Sequence, residues 1–298
     1  MKKVFTKFIV LALILMIGVT STGVFAKTNE NTELRGKDEI IAKQELIKFA
    51  KQETKNLNMS HDLLDEGKKL LTELYMRGYS QEYIASKVKE YGIYVLVDEK
   101  PEKLILNSTL NDIEVSKPMI SYNSYDDIWY VNAGGYWNSE YAFKKDRTWS
   151  ISSGRYKYEI GNLDVAGIAL SNVKGDTTGV YIQDSYLIRG DQDGLSHDNK
   201  INNIVSSDDL GGIAIAFQDA YDDYRDSCIG YRWAMQAEYS KEFGNISCNI
   251  KGFYAHTFKS SKINGISFGV SGKNFGVNFN ISDEDHCIKE FSQTRAHN

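Results

Sequence analysis

Hydrophobic and polar residues alternate along the carboxyl-terminal third of the chain, and this alternation predicts strands. In residues 231–243 the odd positions are mostly apolar and the even positions mostly polar, which is the strand period of two. Gly-Asn at 244–245 suits a tight turn, and the apolar parity switches in residues 246–258. A two-residue turn would pair Trp233 with His256 on one apolar face. The pattern therefore predicts an antiparallel hairpin.

A second hairpin is predicted immediately afterwards. Apolar residues alternate with Gly and Ser in residues 265–270, and apolar residues recur at every second position in residues 275–281. A turn at Gly272-Lys273 pairs Phe268 with Val277 and keeps both apolar faces together, as a buried face requires. Taken with the first hairpin, residues 231–281 are predicted to form a four-stranded meander.

The first third of the mature chain has helical rather than strand periodicity. Residues 38–55 and 61–76 carry apolar positions compatible with helices, and Ser80 is placed to cap a third helix that ends at Gly92. The charged segment 98–103 contains a proline and separates this region from short strands spaced by Gly-, Asn-, Asp- and Ser-rich loops. We expect an α+β protein, with an N-terminal helical region followed by a larger, mostly antiparallel β-sandwich-like domain that ends in the four-stranded meander.

The amino terminus has the features of a secretory signal peptide. A basic start is followed by an apolar stretch at 8–19, too short to span a membrane, and by small residues ending at Ala26. The short basic start is typical of bacterial signals. We therefore divide the chain into a signal peptide at 1–26, a helical region at 27–102 and a β-rich domain at 103–298. The helical region is interpreted as a prosegment or a docking module of a secreted, extracellular protein.

The charge of the chain argues against nucleic acid as a partner. Removing the three lysines of the signal peptide from the 35 basic residues leaves 32 against 40 acidic ones. Such a surface repels phosphate backbones, and the sequence shows no basic stripe. The apolar runs after residue 26 are too short for a transmembrane helix, so no transmembrane segment is predicted after signal removal.

One cluster of aromatic and acidic residues is a candidate ligand-binding face. Aromatic rings beside carboxylates can stack on sugars and accept hydrogen bonds from their hydroxyls. Two interpretations remain open besides glycan binding: the aromatic residues fill the core, or paired acids form a glycosidase dyad. The candidate ligand-binding residues are Tyr125, Asp126, Asp127, Trp129, Tyr136 and Trp137.

A second candidate site is an acidic loop that contains a glycine. Alternating oxygen ligands around a glycine are typical of calcium loops, although the bidentate glutamate of an EF-hand is missing. The alternative is a solvated surface turn. Calcium is the cofactor that the sequence indicates, with Asp191, Asp193, Ser196 and Asp198 as its ligands.

The predicted strand register also bears on the cysteines and on His256. In the meander, Cys228 and Cys287 emerge at the same end, and a disulfide between them is allowed in an exported protein. Three free thiols are the alternative. His256 lies on the apolar face, where a core histidine and a catalytic histidine are both compatible with the pattern. No nucleophile is predicted beside it, so no catalytic residue is assigned.

The functional interpretation follows from export, an aromatic-rich sheet and the lack of a catalytic set. We expect a secreted, non-catalytic β-domain that binds an extracellular glycan, a protein or a cell surface. The alternative is a membrane-active toxin or bacteriocin-like protein, because the strands of residues 246–281 alternate apolar residues with Ser, Asn, Gly and Thr. A secreted hydrolase is a third interpretation.

Overall fold

The structure is a computed structural model that describes most of the chain after the predicted signal peptide. The described residues are 30–55, 57, 59–97, 112–145, 147–148, 157–172, 178, 180–197, 200–208, 212–258, 261–271, 274–282 and 287–293. The predicted signal peptide at 1–26 and the boundary segment 98–103 lie outside these residues.

The described residues form four α-helices, two short 3₁₀ helices and fourteen strands. The α-helices are α1 (Glu30–Thr54), α2 (His61–Met76), α3 (Gln81–Val88) and α4 (Glu140–Lys144), and the 3₁₀ helices are η1 (Lys89–Tyr91) and η2 (Lys241–Asn245). The first seven strands are β1 (Ile93–Leu96), β2 (Ile113–Asn123), β3 (Ile128–Trp137), β4 (Arg147–Thr148), β5 (Lys157–Asn172), β6 (Ile182–Gly190) and β7 (Ile204–Asp208). The others are β8 (Gly212–Asp222), β9 (Ser227–Ile229), β10 (Arg232–Tyr239), β11 (Cys248–Thr257), β12 (Ile263–Ser271), β13 (Asn274–Ile281) and β14 (Cys287–Gln293).

The strands form two large antiparallel sheets and one separate hairpin. The first sheet has the order β1-β2-β3-β10-β6. The second sheet has the order β14-β11-β5-β8-β7, with β4 paired to β5 and β9 paired to β8. Strands β12 and β13 pair only with each other among the described strands.

The main core lies between the two large sheets. Trp233 of the first sheet stacks on Tyr254 of the second, with ring centroids 5.4 Å apart. Trp137 of the first sheet places its ring edge-on to His256 of the second at 4.9 Å. These four side chains are at most 1% exposed. The packing confirms the predicted α+β class, with N-terminal helices and a larger antiparallel part built as a sandwich.

The predicted pairing within the meander is wrong at its first turn. Strand β10 pairs with β3 on one side and with β6 on the other, so it has no free edge for β11. Helix η2 carries the chain from the first sheet to the second, and it buries Phe243 and Gly244. The apolar positions of β10 and β11 match because both strands point their apolar side chains into the same core, one from each sheet. Trp233 therefore faces Tyr254 across the sandwich, and His256 faces Trp137, instead of Trp233 pairing with His256 along a ladder.

The second predicted hairpin is confirmed with its exact register. Val270 lies opposite Phe275, Phe268 opposite Val277 and Ile266 opposite Phe279. The turn at Gly272-Lys273 lies outside the described residues. This hairpin does not extend the second sheet, so the four strands from β10 to β13 are distributed over three sheets.

Helices α2 and α3 cover the outer face of the first sheet. Leu71 and Tyr75 of α2 share an apolar cluster with Ile84 of α3 and Tyr130 of β3. Strand β1 continues this region into the sheet, because it pairs with β2. Besides the predicted cap Ser80 and the cap Ser60 that the structure adds, tertiary contacts hold the helices.

Helix α1 is fixed by a buried lysine. The Lys43 ammonium donates to the backbone oxygens of Phe243 at 3.3 Å and Ile246 at 3.0 Å, and it lies 3.9 Å from the Phe243 ring centroid. Glu39, one helical turn earlier, is its ion-pair partner at 2.9 Å. A fully buried ammonium needs such partners, so Lys43 specifies where α1 docks on η2.

Candidate functional site

Strands β12 and β13 form an amphipathic hairpin that lies over the second sheet. Its outward positions Ser267, Asn278 and Asn280 are exposed. Its inward positions include Val277, which is buried, and Phe268, which is half-buried. The strand period of two thus separates a polar face from an apolar face.

The apolar face of the hairpin rests on a seat in the second sheet. Phe253 of β11 is fully buried and contacts Phe268 at 6.1 Å and Phe279 at 5.7 Å between ring centroids. A Cβ atom at Gly212 of β8 would overlap the Phe268 ring, so the sheet is shaped to receive that side chain. Small residues complete the seat: Val165, Ala169, Ala214 and Ala216. This cluster is separate from the core between the sheets.

Polar contacts at the hairpin are concentrated at its base and one edge. The Ser206 hydroxyl of β7 donates to the backbone oxygen of Ile266 at 2.9 Å. At the base, Lys262 and Ser282 exchange two hydrogen bonds, of 2.8 and 2.9 Å. Dispersion and apolar burial therefore provide much of the attraction between hairpin and sheet.

The segment that leads into the hairpin is held by a bulge in β5. The register of β5 against β8 shifts between Ile160 and Asp164, where Gly161 has a φ of +60°. In this bulge, the Asn162 side chain donates to the backbone oxygen of Ser261 at 2.8 Å. The Thr257 hydroxyl donates to the Leu163 oxygen at 3.0 Å. The bulge thus fixes the connection from β11 to β12.

The hairpin is nearly free of charge. The whole chain is 25% charged, whereas the twenty residues 263–282 contain one charged residue, Lys273. Exposed edges of soluble sheets usually carry charges that prevent association. The outward face here carries Ser and Asn instead.

Among the described residues, no helix has both the length and the apolar character needed to cross a membrane.

The predicted aromatic ligand-binding residues divide into two groups. Trp129 is 0% and Trp137 1% exposed, so both belong to the core and their assignment to a binding face is wrong. The Tyr136 hydroxyl donates to Glu114 at 2.5 Å, and burial together with that carboxylate raises the pKa of Tyr136 to about 12. Tyr125 is 44% exposed.

The two predicted acids lie at a shallow cleft at one end of the first sheet. The cleft has a volume of about 450 Å³ and is lined by Asp126, Asp127, Ile128, Gln183, Ser240, Lys241 and Glu242. Asp127 adopts a φ of +60° and accepts a hydrogen bond from the Tyr122 hydroxyl at 2.5 Å. Burial raises the pKa of Asp127, but this hydrogen bond and the ammonium of Lys51 at 3.3 Å outweigh it and lower the pKa. Asp127 is therefore an ionised acceptor at the rim of the cleft.

In the acidic loop, the Asp191 carboxylate is surrounded by donors. Its Oδ1 accepts backbone N–H hydrogen bonds from Asp193 at 3.0 Å and from Leu195 at 2.9 Å. Its Oδ2 lies 2.8 Å from His197 Nε2. Burial raises the pKa of Asp191, but these hydrogen bonds outweigh it, and the pKa is lowered.

Calcium binding at this loop stays a prediction. Asp193 is exposed and Ser196 half-buried, while Asp198 lies outside the described residues. The N–H groups that point at Asp191 occupy positions that a cation would need, so calcium would have to displace them. The geometry described here is that of a loop closed by its own aspartate.

The strand order is incompatible with the predicted Cys228–Cys287 disulfide. Cys228 lies on β9, beyond β8, and Cys287 lies on β14, beyond β11. Four strand-to-strand steps of ~4.8 Å separate the two strands, about 19 Å in total. A disulfide requires Cα atoms within ~7 Å. The prediction failed because it assumed that all four strands belonged to one meander.

His256 belongs to a buried polar cluster that the sequence patterns did not reveal. Its Nδ1 lies 2.9 Å from Asp164 Oδ1, and the Tyr254 hydroxyl donates to Asp164 at 2.8 Å. Tyr254 also lies 3.2 Å from Asp219. Burial and the neighbouring Asp164 raise the pKa of Asp219 well above its ordinary value. The missed signal was an acid placed among apolar residues in each of two strands, Asp164 in β5 and Asp219 in β8.

Comparison with known proteins assigns no family. No family model matches the chain, and neither does any curated protein. One similar solved structure is described as "Pore forming protein". It has a TM-score of 0.26 and 10% sequence identity, over 67% of this chain and 94% of that chain. A TM-score of this size does not establish a shared fold.

Proposed function

We propose that this protein is exported and acts on membranes, with the β12–β13 hairpin as the part that enters the bilayer. The observation that carries the proposal is an amphipathic hairpin with a single charged residue that belongs to neither large sheet. Its apolar face is held against Phe253 in the water-soluble form. When the hairpin leaves that seat, lipid replaces the sheet as the apolar environment.

The dimensions of the hairpin support this proposal. Strand β12 has nine residues and β13 has eight. Tilted transmembrane strands have about 9–11 residues, a length that β12 reaches and β13 approaches to within one residue. The alternation of apolar residues with Ser, Asn and Gly supplies one side for lipid and one side for water.

The distribution of contacts also favours a hairpin that can separate from the sandwich. Its apolar cluster is distinct from the main core, so undocking leaves the two large sheets packed on each other. Undocking exposes the half-buried Ile266 and Phe268 as well as the seat. That exposure costs free energy in water and is offset only where an apolar phase accepts the side chains.

The test is release of a trapped dye from phosphatidylcholine vesicles, with and without anionic lipid. Wild-type protein at micromolar concentration is expected to release the dye. Ile266 and Ser267 offer a matched pair, because neighbouring residues face opposite sides. On the lipid face of a transmembrane strand, Arg or Lys costs about 2–4 kcal/mol at the bilayer centre, and an acidic side chain costs somewhat less. Ile266→Glu should therefore slow release by at least tenfold, whereas Ser267→Glu should retain it.

Two results would contradict membrane activity through this hairpin. One is the absence of leakage from both vesicle types at micromolar wild-type protein. The other is equal activity of Ile266→Glu and Ser267→Glu when both variants retain the far-UV circular dichroism spectrum of the wild type. The second result would assign any leakage to another surface of the protein.

A second proposed function, binding of an extracellular glycan, is supported by the cleft beside Asp126. Its lining combines carboxylates, an amide, a hydroxyl and an ammonium, groups that pair with sugar hydroxyls. Titration of immobilised protein against a glycan panel tests it. Asp126→Asn should weaken binding, whereas Asp223→Asn, at an exposed turn outside the cleft, should not. Equal binding by the two variants would refute the assignment.

A further inference from the structure

Two buried carboxylates and a buried imidazole lie close together on adjacent strands of the second sheet. Asp164 of β5, Asp219 of β8 and His256 of β11 come from three adjacent strands, and each is at most 1% exposed. One potential ligand atom from each residue lies within 4.8 Å of the others. The phenol of Tyr254 lies between the carboxylates, 2.8 Å from Asp164 and 3.2 Å from Asp219.

The backbone is adapted to bring these groups together. The β5 bulge, with its Gly161 at a φ of +60°, immediately precedes Asp164. Gly230 has a φ of +101°, and a Cβ atom there would coincide with Asp219 Oδ1. Bulges often re-aim a side chain towards a functional site, and a glycine of this kind allows close approach. Two irregularities in separate elements thus make room for two buried acids.

The cluster places two acids beside one imidazole, and Arg189 is a further cation that acts on Asp219. Asp164 receives hydrogen bonds from Tyr254 and from the backbone N–H of Thr257, the latter at 3.1 Å. Asp219 is fully buried, and its Oδ1 accepts no hydrogen bond from the described residues. Burying two adjacent carboxylates is costly unless a proton or a cation compensates their charge.

We propose that Asp164, Asp219 and His256 bind a divalent transition-metal ion, best fitted by Zn²⁺, with Tyr254 as a fourth oxygen donor. Zinc takes nitrogen and oxygen ligands at ~2.0–2.2 Å in a tetrahedral arrangement. Calcium takes six to eight oxygen ligands, which suits this nitrogen-containing set less well. Four donors from the chain would leave no coordination position open, as in structural zinc sites, although the donors there are usually Cys and His.

Binding would exchange protons for the ion at defined atoms. The His256 nitrogen that faces Asp164 releases its proton to solvent or offers its lone pair, and the carboxylates release any shared proton. Tyr254 keeps its phenolic proton and offers an oxygen lone pair. The ion would join β5, β8 and β11 at a point next to the segment that leads into β12. This inference does not depend on membrane activity, because it concerns the water-soluble fold.

The test uses the full mature chain. Zinc content is measured by mass spectrometry after purification without chelator or affinity metal, and calorimetric titration with Zn²⁺ follows chelator treatment. We expect about one zinc per chain and an increase of about 5 °C or more in the Tm at saturating zinc. Binding of Co²⁺ should give the visible absorption bands of a tetrahedral site.

Variants locate the ion. Asp219→Asn and His256→Gln should lose stoichiometric binding, and Asp191→Asn, in the separate acidic loop, should keep it. If either cluster variant fails to fold, the Co²⁺ spectrum of the wild type still decides between a tetrahedral nitrogen and oxygen site and an octahedral surface site. Less than 0.1 zinc per chain, with no Tm response to Zn²⁺ or Mn²⁺, would overturn the proposal and leave the carboxylates sharing a proton. Undiminished binding by Asp219→Asn would also overturn it.

Discussion

Phe253 provides a way to loosen the hairpin without altering the hairpin itself. The replacement Phe253→Ala removes a fully buried ring that contacts Phe268 and Phe279. A buried Phe→Ala change costs about 3–5 kcal/mol in total. Each aromatic contact contributes about 0.5–1.5 kcal/mol beyond burial. The two contacts of Phe253 therefore contribute about 2 kcal/mol to the docking of the hairpin. At 1.4 kcal/mol per factor of ten, the undocked population should rise roughly thirtyfold.

Hydrogen exchange monitored by mass spectrometry measures that population by segment. Amides of residues 263–281 should exchange about thirtyfold faster in Phe253→Ala, and dye release should accelerate in parallel. Phe217→Ala is the matched control, because Phe217 is buried on the inner face against Tyr254. It should lower global stability without selectively exposing the hairpin. Unchanged exchange in Phe253→Ala, or an equal local increase in Phe217→Ala, would refute the separate docking of the hairpin.

Three further predictions test the fold around the sites. Gly230→Ala should lower the free energy of unfolding, measured by urea titration, by several kcal/mol, because Gly230 has a φ of +101° and an added Cβ atom has no room. Gly265→Ala is the control and should have little effect, because an added Cβ atom there lies in open space. Lys43→Met should lower the free energy of unfolding by about 3–5 kcal/mol, because it removes the ammonium partner of Glu39. Thermal unfolding measures the loss, with Lys43→Arg as the control that keeps the positive charge. Because hydrogen bonds lower the pKa of Asp191, its ionised form stabilises the fold above the unfolded pKa of ~3.9. The stability difference between wild type and Asp191→Asn should therefore shrink from about pH 5 to about pH 2, and a constant difference would contradict this role.

The local patterns in the sequence predicted elements better than they predicted partners. The helix at residues 61–76 and the register of Phe268 with Val277 follow from spacing and are found in the structure. The pairing of β10 with β11 failed because a parity argument cannot distinguish neighbours in one sheet from residues facing across a sandwich. The contact of Trp233 with Tyr254 is the observation that separates the two cases.

The sequence of strand β2 does not predict a strand by itself, for a different physical reason. Pro118 interrupts its sequence, and proline in a strand interior removes a ladder hydrogen bond. The structure accommodates it where the register of β2 against β3 shifts between Ser116 and Met119. Such a bulge depends on the partner strand. The sequence of β2 by itself therefore has no clear helical or strand periodicity.

The candidate sites were predicted unevenly. Asp126 and Asp127 were recognised from composition and do line a cleft. The two tryptophans grouped with them are buried, because aromatic residues in strands alternate into a core as readily as onto a surface. Asp164 and Asp219 are 55 residues apart in the sequence and meet only through the pairing of β5 with β8. Their proximity is a property of the sheet order, which the sequence pattern does not contain.

The most direct test of the central claim is the environment of single fluorophores on the hairpin when vesicles are added. In a background lacking the native cysteines, an environment-sensitive dye is attached at Ser267→Cys, Phe268→Cys, Val277→Cys or Asn278→Cys. Phe268 and Val277 are opposite each other on the apolar face, and Ser267 and Asn278 are opposite each other on the polar face. We expect a lipid-borne quencher to quench the dye at 268 and 277 and to leave the dye at 267 and 278 in water. No quenching at any position, or equal quenching at all four, would contradict insertion of the β12–β13 hairpin.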